Sequence, residues 1–414
     1  MLANVFTDPA AIERRRAGLF GAHLDSFVSI SSKLGYARST IRYRLFVLGH
    51  LERWLKRKGL AILDLQEPVM KRFLERLRRT GRFHSGDTRI IQDFLEHLRD
   101  KGAIQPAEPL MDASPLTMLQ KRYENYLRKQ RGLSPVTITR YWSFLRDFLR
   151  ERFGEGPLGL RELAPDDISG FVLQHARSGS RRVAKLMVTA LRSFFRFLFQ
   201  HGQIEHDLIG AIPAVAARRL AEIPKYLEAE EVERVIQACD RNTLVGCRDY
   251  AILLLLARLG LRGGEVIALE FDDIDWRAAV LTVRGKGHYH DQLPLPHDVG
   301  EAIATYLRQG RPPCTTRRVF VRSRAPHRSF ANPSTLSAIV RYALKRAGLE
   351  PDLKGAHLLR HSLATGMLRR GASMAEIGQI LRHRSPNTTE IYAKVDLESL
   401  RSLALPWPGK GGAQ

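Results

Sequence analysis

An internal repeat is the feature that most limits the folds open to this 414-residue chain. The segment Gly35–Ile41 (GYARSTI) resembles Gly132–Ile138 (GLSPVTI), and Phe94–Leu98 resembles Phe194–Leu198. Throughout both regions apolar residues recur at three- and four-residue spacing, which is the period of amphipathic helices. We therefore interpret residues 19 to 105 and 115 to 205 as two copies of one four-helix unit.

The chain is strongly basic, with 66 Lys and Arg against 43 Asp and Glu and a formal net charge of +23. Such an excess suits a polyanion, most commonly nucleic acid, although charge alone does not separate DNA from RNA or from an anionic membrane surface. The longest apolar run, Ala251–Ala257, is far shorter than the roughly 20 residues that span a bilayer. The first residues include proline and acidic residues where a signal peptide needs its apolar centre. With only three scattered cysteines, which fit no disulfide framework or zinc site, we expect a cytoplasmic protein.

Proline-bearing segments divide the chain. Gln105–Pro109, followed by Ser114–Pro115, is typical of a linker, and Ile209–Lys225 is a second one, which we expect to act as a hinge. The predicted domains are an N-terminal helical domain that duplicates the next one (1–108), a second helical domain (113–205), a linker (206–225), a C-terminal domain (226–406) and a tail (407–414).

After Leu227 the pattern changes from repeated helices to a mixed domain. A run of glutamates just beyond it predicts the start of a helix, and Asp249–Leu259 predicts a buried apolar helix. Ala279–Val283 then predicts a strand, which a glycine-rich turn joins to a second strand running toward Gln292–Leu295. We expect a small antiparallel hairpin in a mainly helical domain.

One basic cluster in the second repeat copy is suited to phosphate. The sequence Ser178–Arg182 (SGSRR) predicts the start of a helix that carries Arg181, Arg182 and Lys185 in its first turns. Backbone N–H groups and cations at a helix start favour the phosphates of a nucleic acid backbone. A solvated surface is the alternative interpretation of each cation taken singly.

Five short motifs follow one another in the C-terminal half. They are GLRGGEV at Arg262, RGKG at Lys286, HLLRHSLAT at His357 and Arg360, LRH at His383, and TTEIYAKV at Tyr392. Their order and spacing resemble the tyrosine recombinase, or phage integrase, family of site-specific DNA recombinases, over roughly residues 115 to 400. The resemblance implies a mainly α fold, in which helical core-binding units of the SAM-like kind clamp DNA and precede an α+β catalytic domain with a small antiparallel sheet.

The resemblance also implies a catalytic centre that works on one phosphate. Tyr392 would be the nucleophile, because a covalent 3′-phosphotyrosine stores the free energy of the broken phosphodiester without an energy cofactor. Negative charge builds on the phosphate oxygens during in-line attack, and the planar guanidinium groups of Arg262 and Arg360 would stabilise it by bidentate contacts.

Three further residues would move protons or bind the phosphate in this scheme. Lys286, between glycines of the hairpin, would protonate the leaving 5′ oxygen. His357 would help to move the tyrosine proton, and His383 would hydrogen-bond the phosphate. Glu265, one helical turn from Arg262, would orient a guanidinium.

Other polar residues near the motifs are interpreted as structural. His361 is expected to be a structural histidine, and three histidines near the hairpin are expected on the surface, namely His288, His290 and His297. Three aspartates could suggest a two-metal nuclease, but they crowd together with no distant carboxylate motif and are interpreted as turn residues: Asp272, Asp273 and Asp275. The sequence contains no GxxxxGK[ST] motif, the loop that binds the phosphates of ATP, so an ATP-driven reaction is not indicated. We expect neither a metal nor a cofactor.

The chain departs from the family pattern in two places. Arg382 occupies the position that usually holds glycine in the LGH segment, which adds a cation beside His383. The first repeat copy is additional to a minimal recombinase, and it could bind arm-type or extended core DNA or contact a neighbouring protomer. The sequence leaves these alternatives open.

The function that these residues predict is site-specific cutting and rejoining of duplex DNA, in service of a mobile element, by a synaptic homo- or hetero-tetramer with related recombinases. In such an assembly a segment such as Leu397–Leu405 would pack on a neighbour, and the enzyme would work in the cytoplasm at the nucleoid. Two alternatives remain, a type IB topoisomerase-like enzyme and a non-catalytic DNA-binding protein of the same fold.

Overall fold

The computed structural model describes residues 1–106, 114–154, 156–178, 180–215, 224–285 and 290–395. The chain forms two compact units, of which one comprises Met1–Pro106 with Glu222–Gln414 and the other comprises Ala107–Ala221. Among the described residues no helix is both long and apolar enough to cross a membrane.

The N-terminal part of the first unit is helical. Phe20, Leu51, Phe73 and Phe94 lie in its apolar core. Where α2 ends, the C=O of Leu34 accepts a hydrogen bond from the N–H of His327 in the C-terminal part (2.8 Å). The helices of this part are α1 (Pro9–Arg16), α2 (Gly21–Lys33), α3 (Arg38–Arg57), α4 (Glu67–Arg79) and α5 (Asp87–Asp100).

The second unit contains α6 (Pro115–Lys129), α7 (Pro135–Phe153), α8 (Pro165–Ser178) and α9 (Arg181–Gln200). Ser114, Ser134 and Ser180 precede three of these helices and accept hydrogen bonds from backbone N–H groups of the first turn. The four helices correspond in number to α2 to α5. The helices α3 and α7 have 20 and 19 residues, whereas α5 has 14 and α9 has 20. The duplication and the domain boundaries proposed from sequence remain predictions.

The C-terminal part of the first unit is built around one buried helix, α11. Every residue from Ala251 to Ala257 is at least 95% buried, because this apolar segment is enclosed by its neighbours. α13 continues as a π-helical turn at Tyr306–Gly310. The helices here are α10 (Ala229–Gln237), α11 (Leu244–Arg258), α12 (Gly263–Ala268), α13 (His297–Thr305), α14 (Ser334–Arg346), α15 (Ala356–Arg369) and α16 (Met374–Ile380).

The sheet has three antiparallel strands where the sequence predicted two. β1 (Ile274–Asp275), β2 (Val280–Arg284) and β3 (His290–Pro294) pair in that order. The register sets Val283 opposite Asp291. The additional strand, β1, was not predicted because two residues are too few to show an alternating pattern. Asp275, which was interpreted as a turn residue, lies in this strand. Its carboxylate nevertheless accepts the N–H groups of Arg277 and Ala278, which turns the chain into β2.

The predicted fold class is confirmed, since the structure is mainly helical with one small antiparallel sheet. Asp272 and Asp273 lie in a 3₁₀ turn, as predicted. Asp273 is buried, and its carboxylate accepts hydrogen bonds from the N–H of Glu270 (2.8 Å) and from the guanidinium of Arg284 (3.0 Å). This aspartate therefore ties the turn to β2.

Candidate active site

All five motifs reach one cleft of about 1020 Å³ in the C-terminal part of the first unit. Each motif contributes at least one lining residue: Arg262, Gly285, His357, His383 and Thr388. The first and the last of these residues, Arg262 and Thr388, are more than 100 positions apart in the sequence, so folding has brought them together. The cleft is the candidate active site.

Helix beginnings make the cleft favourable for an anion. Gly263, Ser334 and Ala356 are the first residues of α12, α14 and α15, and all three line it. The first N–H groups of a helix have no partner within the helix, and the helix dipole adds partial positive charge there. Phosphate oxygens are suitable acceptors for such groups.

The guanidinium of Arg262 is held by Glu265. Nη1 of Arg262 donates to Oε1 of Glu265 (2.7 Å), and the Arg262 backbone N–H donates to Oε2 (2.8 Å). Because α12 begins directly after Arg262, Glu265 stands in the first turn and caps the helix. The side chain of Arg262 is still 41% exposed. The expected orienting role of Glu265 agrees with this geometry.

Arg382 has a backbone conformation that usually needs glycine, with φ at +54°. A left-handed residue with a side chain costs roughly 1–2 kcal/mol, which explains glycine as the usual residue there. The buried side chain compensates, since Nη2 donates to Oε2 of Glu265 (2.9 Å) and Nη1 donates to the C=O of Ile380 (3.0 Å).

Glu265 therefore lies between two guanidinium groups. Burial alone would raise the pKa of Glu265, but the Arg262 N–H and the charges of Arg382 and Arg262 hold that pKa below its ordinary value of 4.5. The single negative charge of Glu265 neutralises only one of the two arginine charges. Arg382 therefore adds a net positive charge at the cleft.

Arg360 does not line the cleft. The side chain is buried, with the residue 4% exposed, and its guanidinium donates to the C=O of Gly260 and the C=O of Leu381. These carbonyls follow the ends of α11 and α16, where helices leave acceptors unpaired and where their dipoles are negative. Burial, together with the charges of Arg262 and Arg382, lowers the pKa of Arg360 to about 10.

The glycine in the first motif permits this arrangement. Gly260 follows α11 with φ at +56°, and a Cβ atom there would come 2.7 Å from Cδ2 of Leu381. A side chain at position 260 would therefore separate the two helix ends that Arg360 joins. The glycines nearest Arg262 in this motif, Gly263 and Gly264, line the cleft.

His383 is held by Thr389, a residue that sequence reasoning did not single out. Nδ1 of His383 lies 2.8 Å from Oγ1 of Thr389, which is 2% exposed. Burial, together with the charges of Arg360 and Arg262, lowers the pKa of His383 to about 4. The imidazole is therefore neutral at neutral pH and retains one N–H with which to donate. In the sequence, the position of Thr389 within the motif TTEIY indicated that it could belong to the site.

Tyr392 is buried, 1% exposed, and does not line the cleft. Its hydroxyl lies 2.8 Å from Nδ1 of His361. Burial raises the pKa of Tyr392 to about 12, although the charge of Arg360 acts in the opposite direction. The histidine at hydrogen-bond distance from this hydroxyl is therefore the one expected to be structural, while His357, expected to move the tyrosine proton, is exposed at the cleft.

The structure describes some of the remaining predicted site residues and not others. Lys286 and His288 are outside the described residues. Gly285, which precedes Lys286 in the sequence, lines the cleft at the end of β2. In the second unit Arg181, Arg182 and Lys185 are exposed in the first turns of α9, after the cap Ser180. His290 is exposed in β3.

Known proteins similar to this chain are integrases and recombinases. The chain is 44% identical over 403 residues to the putative integrase/recombinase y4rA of Sinorhizobium fredii, with 97% of each chain covered. It is 32% identical over 282 residues to tyrosine recombinase XerA of Pyrococcus furiosus, covering 68% of this chain and 91% of that protein.

Two solved structures share the fold. The XerH site-specific recombinase bound to a palindromic difH substrate has a TM-score of 0.56 at 21% identity, over 69% of this chain and 83% of that one. A λ integrase (75–356) dimer bound to a COC′ core site has a TM-score of 0.52 at 20% identity, over 72% and 98%.

Family profiles match both parts of the chain in which the resemblance was seen. The profile of the phage integrase family matches residues 225–398, and that of the phage integrase N-terminal SAM-like domain matches residues 121–202. With a relative that is similar along nearly its whole length, the family predicted from the motifs is confirmed. The chain belongs to the phage integrase family and is a tyrosine recombinase.

Proposed function

We propose that this recombinase cuts and rejoins duplex DNA at specific sites through a 3′-phosphotyrosine on Tyr392. The observation that carries the proposal is the single cleft that all five motifs reach. Its arginines, its neutral histidine and its helix beginnings together suit a phosphodiester. Cleavage and rejoining need no energy cofactor, because the phosphotyrosine bond stores the free energy of the phosphodiester.

The roles proposed for the cleft residues follow from their surroundings. Arg262, oriented by Glu265, contacts the scissile phosphate, and His357 and His383 line the same space and donate hydrogen bonds to it. Arg360, which is buried and does not line the cleft, joins this set by exchanging its carbonyl acceptors for phosphate oxygens. Such an exchange keeps every guanidinium donor paired.

The chemical step requires two proton movements. The Tyr392 oxygen forms a bond to phosphorus and its proton passes to His357, while the bond from phosphorus to the 5′ oxygen breaks and that oxygen gains a proton. We assign the second proton to Lys286, because its neighbour Gly285 lines the cleft. Rejoining is the reverse, with a 5′ hydroxyl attacking the phosphotyrosine.

The test is to trap the covalent intermediate. Duplexes that tile the DNA flanking the gene would be nicked close to each candidate site, so that cleavage releases a short fragment and rejoining fails. We expect a protein–DNA adduct on a denaturing gel, with the modified peptide mapped by mass spectrometry to Tyr392. Tight DNA binding without any adduct would contradict the proposal and favour a non-catalytic DNA-binding protein.

A second assay separates recombination from relaxation of supercoils. A plasmid that carries two copies of the site is expected to yield recombinant products. Relaxation of a plasmid without the site, and no recombinants from the two-site plasmid, would instead identify a type IB topoisomerase-like enzyme.

Duplex DNA and related protomers are the proposed partners. One solved structure with the same fold is a λ integrase tetramer bound to a Holliday junction, and this supports a homo- or hetero-tetramer on two synapsed sites. We place this work in the cytoplasm at the nucleoid, because the substrate is chromosomal or mobile-element DNA. The chain has an extra N-terminal domain (1–108) in addition to the proposed core-binding domain (113–205) and catalytic domain (226–406). This extra domain indicates specialised contacts with DNA or with a partner, which favours a role in a mobile element.

The core-binding domain supplies a prediction about salt. Exchanging Arg181 and Arg182 for glutamine is expected to weaken DNA binding, and to reduce the slope of log affinity against log salt by about 0.9 for each phosphate that the variant no longer binds. Fluorescence anisotropy over a salt series measures both. Arg161→Gln is the matched control, since that exposed arginine of the same unit already pairs with Glu205 (3.6 Å). If the slope of log affinity against log salt is unchanged in the double variant, Arg181 and Arg182 do not bind the phosphates of the DNA backbone.

A further inference from the structure

The hydroxyl of Tyr392 has a specific partner that the proposed reaction does not use. Nδ1 of His361 lies 2.8 Å from this hydroxyl, and the two rings are 5.6 Å apart. Among the described residues, His361 is the only hydrogen-bond partner of that oxygen. A buried hydroxyl whose hydrogen has no acceptor is destabilising, so the hydroxyl donates and Nδ1 accepts.

His361 is poorly suited to remove the proton of Tyr392. Burial, with the charges of His357 and Arg360, lowers the pKa of His361 to about 4, while the pKa of Tyr392 is raised to about 12. Burial thus makes His361 a weaker base and Tyr392 a weaker acid than usual, and both changes disfavour proton transfer from the hydroxyl to the imidazole. At neutral pH the pair is a neutral hydrogen bond.

This hydrogen bond holds Tyr392 away from the place where it would react. The tyrosine packs in a small core with Ala364, Ile377 and Leu381, and it is absent from the lining of the cleft. The phosphate would lie in the cleft beside Arg262 and His383. Attack therefore requires the hydroxyl to leave His361.

We infer that His361 is a positioning residue that stores the Tyr392 hydroxyl inside the protein until DNA is bound. The inference rests on the proposed function in one respect, namely that Tyr392 is the nucleophile. Storage keeps the nucleophile from water and from unrelated phosphates, and it makes release of the tyrosine part of the path to cleavage. A neutral hydrogen bond of ordinary strength shifts such an equilibrium about fivefold.

The first test needs no DNA. His361→Phe keeps a planar ring but removes the acceptor, and nitration of Tyr392 by tetranitromethane, mapped by mass spectrometry, is expected to rise about fivefold. Tyr342, which is 63% exposed, is the internal reference. His361→Gln retains an acceptor and is expected to restore slow nitration. Equal nitration in the wild-type and His361→Phe proteins, with equal circular dichroism, would overturn the inference.

A measurement on the unaltered protein covers the case in which His361→Phe does not fold. Nitrogen-15 NMR of the histidines is expected to show His361 as the neutral tautomer with its proton on Nε2 at pH 7. A proton on Nδ1 would contradict storage, because Tyr392 would then accept the hydrogen bond.

Cleavage provides the functional readout. On the nicked duplex, His361→Phe is expected to form the adduct at least as fast as the wild type, and up to about fivefold faster. A loss of more than tenfold, in a protein with normal folding and DNA affinity, would assign His361 a direct part in the chemistry and overturn storage. If the wild type forms no adduct at all, the proposed function fails, whereas nitration and NMR still decide whether His361 holds the hydroxyl.

Discussion

Tyr392→Phe is expected to abolish the covalent protein–DNA adduct and to leave DNA binding unchanged. Phenylalanine keeps the ring in the core formed with Ile377 and Leu381 and removes only the oxygen that is proposed to bond to phosphorus. Removing the hydrogen bond to His361 costs about 1 kcal/mol of stability, so the variant stays folded. Adduct formation on denaturing gels and affinity by fluorescence anisotropy are the two measurements.

Tyr342→Phe is the matched control for this experiment. That tyrosine lies on α14 and is exposed, so the same chemical change there is expected to preserve the adduct. An adduct that persists in Tyr392→Phe would show that another residue is the nucleophile. Loss of DNA binding together with the adduct would instead point to damage to the fold.

Glu265→Gln is expected to destabilise the cleft strongly. The carboxylate is buried between Arg262 and Arg382, and glutamine would leave two guanidinium groups close together without an opposite charge. Removing one partner of a buried ion pair costs about 3–5 kcal/mol, and we expect roughly 3 kcal/mol because Arg262 is partly exposed. Hydrogen exchange on peptides from α12 and α16 measures the change, with the exposed Glu230→Gln as control.

Acid should remove the same stabilisation in the wild-type protein. Because the pKa of Glu265 is lowered in the folded state, its contribution is complete above pH 4.5 and is lost as the pH falls through the lowered value. The difference in stability between wild type and Glu265→Gln should therefore be constant near neutral pH and should shrink below pH 4.5. A difference that stays constant down to pH 3 would contradict this account.

A double variant tests why arginine is tolerated at position 382. Glycine adopts the left-handed conformation there at little cost, and Arg382→Gly removes one of the two cations that flank Glu265. Glu265→Gln with Arg382→Gly should therefore be more stable than Glu265→Gln alone. If the double variant is less stable, the two side chains do not act through each other.

The sequence predicted the family and the convergence of the motifs because both depend on the order of local patterns. Gly260 to Val266, the hairpin and the segment around His357 each mark a chain reversal or a helix start, which nearby residues determine. The short strand β1 escaped prediction because two residues carry no period, and pairing with β2 decides its conformation.

The details of the site depend on contacts between distant segments. His357 and Arg360 belong to one motif and were both expected at the phosphate, yet His357 is exposed and Arg360 is buried against the ends of α11 and α16. Likewise, neither the sequence around His361 nor the sequence around Tyr392 indicates that these two side chains form a hydrogen bond. Such contacts arise from packing, which a single sequence does not encode locally.

The position of Arg360 has a consequence for the thermodynamics of DNA recognition. Its pKa of about 10 means that the folded protein binds this proton less firmly than an ordinary arginine does, because of burial and two neighbouring cations. In the proposed reaction, a phosphate oxygen beside Arg360 would offset the burial and the neighbouring charges that lower this pKa, so the anion and the proton would stabilise each other at the group. If Arg360 contacts the scissile phosphate as proposed, the burial that folding has already imposed on this cation would favour that phosphate over the exposed phosphates of the flanking backbone.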